Sequence, residues 1–170
     1  MKKFFLFLFV ILSAVSFAVM AQSDLPKGIM KLDGHEAPSL RLKNLDEELF
    51  DINAAKGRWL FVHFWAAWCG PCRREMPTIE KIIRQFDPKV LQFVLVNTAE
   101  TEETVFGFLG GVAPDLQTYM DLDGLVTERW QPRGLPATFL VDPQGRLRYL
   151  ALGGRDWSSE PYLKFLRSLK

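Results

Sequence analysis

The spacing of apolar positions changes several times along the chain, and each change marks an element. Pro38 to Leu42 and Glu48 to Ile52 alternate with period two around a turn-like Asn44 to Glu47, which predicts a β-hairpin. Trp59 to Trp65 is apolar on both faces, as a central parallel strand should be. Met76, Ile79, Ile83 and Phe86 then recur at helical spacing, with Glu80, Lys81, Arg84 and Gln85 off that face. Pro77 should kink this helix and Pro88 end it. Val90 to Val96 predicts a second buried strand. Glu102 to Leu109 predicts a helix capped by Thr101 and stopped by Gly110-Gly111. A short strand at Gln117 to Met120 and a short helix at Leu125 to Trp130 follow. The loop Gln131 to Pro136 feeds a strand, Ala137 to Val141. The turn Asp142-Pro143-Gln144-Gly145 reverses it into an antiparallel strand, Arg146 to Leu152. After Gly153-Gly154, Ser158 or Ser159 caps a last helix with Tyr162, Phe165, Leu166 and Leu169 facing inward.

Strand, helix, strand, helix, then hairpin and helix is the order of a three-layer α/β sandwich. Its central sheet is mixed and helices cover both faces. The first hairpin, before Trp59, is an N-terminal addition to that core.

The start of the chain has a different pattern. Lys2-Lys3 precede the apolar run Phe4 to Leu12, and smaller residues lead to Val19-Met20-Ala21. This describes a secretory signal at residues 1–21. An uncleaved membrane anchor is the other reading, since the apolar stretch lies at the lower edge of a bilayer span. Residues 22–36 are polar and punctuated by Gly and Pro, and read as a linker. Residues 37–170 form the predicted domain, long enough for one core. Either way that domain faces an oxidising compartment.

Composition adds little beyond exclusion. The chain is 48% hydrophobic and 24% charged, as globular proteins are. Without Lys2 and Lys3 it carries 19 basic and 20 acidic residues, with no excess that would favour nucleic acid.

The two cysteines of the chain stand in Trp68-Cys69-Gly70-Pro71-Cys72, where the buried strand hands over to the helix. A thiol at a helix N-terminus meets free backbone N–H groups and the positive end of the dipole. Both favour the reactive thiolate. Pro71 suits a first helical turn. A structural staple is a poor alternative, because the loop closed is too short to constrain the unfolded chain. A zinc site would have to recruit His35 and His63. No metal and no cofactor beyond the Cys69–Cys72 couple is expected.

Trp-Cys-Gly-Pro-Cys after a buried strand, the helix proline Pro77, and Gly134-Leu135-Pro136-Ala137-Thr138-Phe139 together resemble the thioredoxin superfamily. The apolar start, Ala37-Pro38-x-Leu40 and the long segment from Asn97 to Tyr119 are similar to its exported TlpA/ResA/DsbE-like branch. The resemblance covers about Ala37 to Leu169. It implies a thioredoxin-like fold and a thiol–disulfide oxidoreductase acting on exported proteins, with a membrane electron donor. Cys69 would be the exposed nucleophile and Cys72 the buried resolving thiol. Pro136 would be a cis-proline facing them, and the Leu135 backbone would pair with an extended partner segment. Gly70-Pro71 resembles the more reducing members, which favours a reductant, apocytochromes c included. Trp68 would offer a flat docking platform beside Cys69.

Other residues keep two readings. His63 stands where thioredoxins proper often carry a buried Asp. It is either a proton relay, with an unperturbed pKa of about 6.5, or a hydrogen-bonded core histidine. Glu75 occupies the position of an active-site glutamate in cytochrome-maturation members, and is either a relay for the Cys72 proton or a solvated helix residue. Arg73 and Arg74 either tune the thiols and steer a partner or form a solvated face. Trp130 and Trp157 carry no chemical signal. The rival function is a thioredoxin-fold binding protein, a chaperone or copper carrier. A carrier would use C-x-x-x-C, one residue longer. A peroxidase would need Thr-x-x-Cys, where this chain has Ala66-Ala67-Trp68-Cys69.

Overall fold

The structure, a computed structural model, describes residues 25–169. The signal or anchor expected at 1–21 lies outside the described residues. Among them, no helix is long and apolar enough to cross a membrane.

Six strands form the main sheet: β1 (Ile29–Lys31), β4 (Trp59–Trp65), β5 (Leu91–Thr98), β6 (Tyr119–Asp121), β7 (Ala137–Val141) and β8 (Leu147–Leu152). Their order across the sheet is β1-β8-β7-β4-β5-β6. β4, β5 and β6 run parallel, while β7, β8 and β1 each pair antiparallel with a neighbour. The sheet is therefore mixed, as expected. β2 (Arg41–Lys43) and β3 (Leu49–Asp51) make the separate N-terminal hairpin. Four helices complete the layers: α1 (Gly70–Ile83), α2 (Glu102–Val112), α3 (Leu125–Trp130) and α4 (Glu160–Arg167).

β4 is buried along its whole length because both faces are covered. Leu60, Val62 and Phe64 pack with Val126 and Trp130 of α3. Phe61 and Trp65 pack on the opposite face with Met76, Ile79 and Ile82 of α1 and with Leu163 and Leu166 of α4. His63 belongs by alternation to this second face.

Three expectations are corrected. The stretch read as a linker contains β1, which pairs Ile29, Met30 and Lys31 with Ala151, Leu150 and Tyr149. Gly28 and Gly34 on either side of it, both at positive φ, make the segment look like loop in sequence. Gly110-Gly111 do not stop α2, which continues to Val112. A glycine in a helix costs about 1 kcal/mol, too little to end one by itself. α1 ends at Ile83, five residues before Pro88, and buries Ile82 where Ile83 was expected. Ile83 and Phe86 pack at the edge of the core instead. Pro77 lies inside α1 without ending it.

Candidate active site

The chain leaves β4 through Ala66, Ala67 and Trp68 and enters α1 at Gly70, so Cys69 is the N-cap residue. Pro71 occupies the first turn, where its missing N–H is not needed. Cys69 and Cys72 are joined as a disulfide. Cys69 Sγ also accepts the Cys72 backbone N–H at 3.2 Å. Once the disulfide opens, that donor and the helix end both favour a thiolate on Cys69.

Cys69 was expected to be exposed, yet only 4% of its surface is open, against none for Cys72. The order of exposure stands. The level is lower because the bond to Cys72 and the N–H contact draw Cys69 Sγ onto the helix end. Trp68, by contrast, is 71% exposed beside it. Arg73 is not simply solvated: it donates to Ala67 O at 3.3 Å and lies over the Phe108 ring. Arg74 is exposed.

The Leu135–Pro136 bond is cis, as the resemblance implied. β7 begins one residue later, and its register sets Ala137 against Phe64. Pro136 therefore sits at the end of the sheet from which Cys69 emerges. Pro136 O accepts from Gly153 N at 2.9 Å, which ties the loop to the end of β8.

Glu75, one turn beyond Cys72, is 2% exposed, so the solvated reading fails for it. Its Oε2 accepts the Arg155 backbone N–H at 2.7 Å, and its Oε1 accepts Trp157 Nε1–H at 3.3 Å. Burial pushes the carboxyl up to about 7 against these two donors and the Arg155 charge. His63 is fully buried, with Nε2 3.3 Å from Glu75 Oε1, though not in hydrogen-bond geometry, and Nδ1 2.9 Å from Thr138 Oγ1. Burial, and secondarily the positive Arg155, push the imidazole down to about 3, so it is neutral at physiological pH. His63 and Glu75 thus meet directly, which their positions in sequence did not show.

Several residues escaped sequence reasoning. Trp157, fully buried, is a donor to Glu75. Glu100 accepts from Ala67 N and from Asn97 Nδ2, both at 2.7 Å, and so holds the loop before Cys69. Gly154 lies so close to the disulfide turn that a Cβ there would stand 3.0 Å from Pro71 Cβ and Pro71 O. The Gly153-Gly154 pair did signal a break, but not what it packs against. Among the described residues no group of three or more His, Cys, Asp or Glu is arranged to hold a metal ion.

A redox pair at a helix N-cap, on a mixed sheet and beside a cis-proline loop, defines a class: the protein is a thiol–disulfide oxidoreductase with the thioredoxin fold. Within that class, the chain belongs to the AhpC/TSA family, whose pattern matches residues 34–150. The thiol-disulfide oxidoreductase ResA of Bacillus subtilis is 27% identical over 121 residues, which cover 71% of this chain and 68% of that protein. The thioredoxin-like protein YneN of the same organism is 31% identical over 124 residues, covering 71% and 72%. Among solved structures, a thiol:disulfide interchange protein DsbE from Chlorobium tepidum superposes with a TM-score of 0.71 at 26% identity. The match covers 81% of this chain and 97% of that one.

Proposed function

We propose that this oxidoreductase works outside the cytoplasm as a reductant of disulfides in exported proteins, apocytochrome c among them, and is recharged by a membrane electron donor. The observation that carries the reading is the Cys69–Cys72 pair in the first turn of α1, with a buried carboxyl of near-neutral pKa one turn further on. The names of the ResA and DsbE relatives support disulfide exchange, and Gly70-Pro71 supports the reducing direction.

In the reduced enzyme, Cys69 thiolate attacks a partner disulfide. A Cys69–partner S–S bond forms, the partner's own S–S bond breaks, and the electron pair leaves on the released partner sulfur, which takes a proton from solvent. Cys72 then gives its proton to Glu75 and attacks Cys69 Sγ. The Cys69–Cys72 bond forms, the mixed disulfide breaks, and the second partner sulfur leaves as a thiolate that is protonated in turn. The partner gains two electrons and two protons, and the enzyme ends as the disulfide. The cis-Pro136 loop, at the sheet end from which Cys69 emerges, would receive an extended partner segment along the Leu135 backbone, while Trp68, Gly70 and Pro71 would form the docking surface.

Replacing Cys72 with Ser should trap partners as stable mixed disulfides through Cys69, and replacing Cys69 should not. Equal trapping by both variants, read on non-reducing gels, would reverse or dissolve these roles.

A further inference from the structure

His63 sits directly across from Thr138 in the antiparallel pairing of β4 with β7. That register brings Nδ1 to 2.9 Å from the Thr138 hydroxyl. The other ring nitrogen faces α1, where Glu75 Oε1 is 3.3 Å away and no hydrogen bond has closed. A buried imidazole nitrogen without a partner is costly, so the ring has a reason to be there.

Neutral imidazole offers one donor and one acceptor. With the proton on Nδ1, the Nε2 lone pair would point at a carboxylate oxygen, and two acceptors would face each other in a dry interior. With the proton on Nε2, Thr138 O–H donates to Nδ1 and Nε2–H donates to Oε1, which matches both nitrogens. The second arrangement also holds when Glu75 is protonated on Oε2, which leaves Oε1 as a carbonyl acceptor. It also needs no charged histidine, in keeping with the burial of the ring and the nearby Arg155.

We propose that His63, in its Nε2–H tautomer, is a positioning residue that donates a third hydrogen bond to Glu75 and holds that carboxylate ready for the Cys72 proton. This rests on the exchange mechanism proposed above and assigns control of its proton step. The groups around Glu75 fit the role. On its own helix it lies three residues beyond Cys72 on the same face, with Arg74 lining the cleft. From β4 comes His63. From the segment after β8 come the Arg155 N–H and Trp157 Nε1–H, with the Arg155 guanidinium turned onto the Trp157 and Tyr162 rings. A cleft of about 260 Å³, lined by Pro71, Arg74, Glu75, Gly154, Arg155 and Asp156, gives the carboxyl a route to solvent. The groups that donate to Glu75 are thus neutral, while the positive Arg155 acts on it from the cleft wall.

Two readouts test this. The first is the titration midpoint of Glu75 in the oxidised protein, followed by carboxyl carbon NMR, which needs no exchange activity. His63→Leu should raise that midpoint by about one pH unit, a tenfold loss of carboxylate at a given pH. His63→Gln, which keeps an N–H donor, should stay within about threefold of the wild type. The second is the pH–rate profile for reduction of a disulfide-bonded peptide. His63→Leu should slow exchange near neutral pH and recover in alkali, and should have no further effect in a Glu75→Gln background. Nitrogen NMR of the wild-type ring should show the Nε2–H tautomer, a result that stands even if the leucine variant does not fold. An unshifted midpoint, additive effects with Glu75→Gln, or an Nδ1–H tautomer would each overturn the proposal. A wild-type protein that exchanges no disulfides would overturn the exchange mechanism instead, leaving the midpoint and tautomer readable.

Discussion

The two faces of β4 are equally buried and differently made. On one, Leu60, Val62 and Phe64 meet Val94, Val96, Val126 and Trp130, and the contact is hydrocarbon and ring throughout. On the other, Phe61 and Trp65 flank His63, and the layer above contains Cys72 and Glu75. Each polar group there is tied to a distant segment: His63 to Thr138, Trp65 Nε1 to Thr118 and Glu75 to Arg155 and Trp157. The apolar face can be built from interchangeable side chains that fill volume. The α1 face cannot, because an unpaired polar atom costs as much as a lost side chain contact. Both sides of the strand hold the fold together, and only the α1 side also buries ionisable groups, His63 and Glu75.

The contrast can be broken first from the apolar side. Phe64→Ala should cost about 3–5 kcal/mol, a cavity in a packed ring cluster with Trp130 and Phe139. Chemical denaturation would read the loss, and the pH–rate profile of the folded fraction should not move. A shifted profile would mean that the two faces are not separable.

Glu75→Gln should do the reverse, changing the pH dependence while leaving the packing intact. The carboxyl titrates near its ordinary value of 4.5 in the unfolded chain and at about 7 when folded, so the folded state holds the extra proton between them. Stability therefore falls as pH rises through that window, by on the order of 3 kcal/mol. His63 works the other way. Its folded pKa of about 3 lies below the ordinary 6.5, so stability rises with pH between those values. The two slopes oppose each other from 4.5 to 6.5. In Glu75→Gln the histidine slope should remain alone, on a curve lowered at every pH because the amide NH2 must face an N–H donor that the carboxyl accepts. Denaturation midpoints from pH 4 to pH 8 that run parallel for the two proteins would deny that Glu75 titrates near neutrality.

A smaller effect is expected at Gly154. Gly154→Ala places a methyl 3.0 Å from Pro71 and should cost about 1–3 kcal/mol through overpacking. Because Pro71 lies between the cysteines, the rate of disulfide exchange should fall with it. Loss of stability with unchanged exchange would show that the turn tolerates the push.

Much of this was legible in the sequence, for reasons that show where the legibility stops. The seven apolar residues of β4, the period-two hairpin and the helical spacing after Cys72 are local patterns, and the elements they predict are present. The Cys69–Cys72 disulfide and the cis bond before Pro136 were expected because each sits in a short motif that the resemblance covers. The environment of Glu75 is another matter. Its partners are 80 and 82 residues away, and one of them is a backbone N–H, which no residue type announces. His63 and Thr138, 75 residues apart, meet only once the register of β4 and β7 is fixed. The three residues of β1 were hidden by flanking glycines, and Gly110-Gly111 misled because a helical glycine costs only about 1 kcal/mol, too little to end α2 by itself.

The equilibrium reduction potential of the Cys69–Cys72 couple, titrated against a dithiol buffer, tests the central claim most directly. A reductant of exported proteins should lie at or below about −230 mV, in the range of thioredoxin-like reductants. A value near −120 mV would belong to an oxidant that introduces disulfides and would contradict the proposed direction of electron flow.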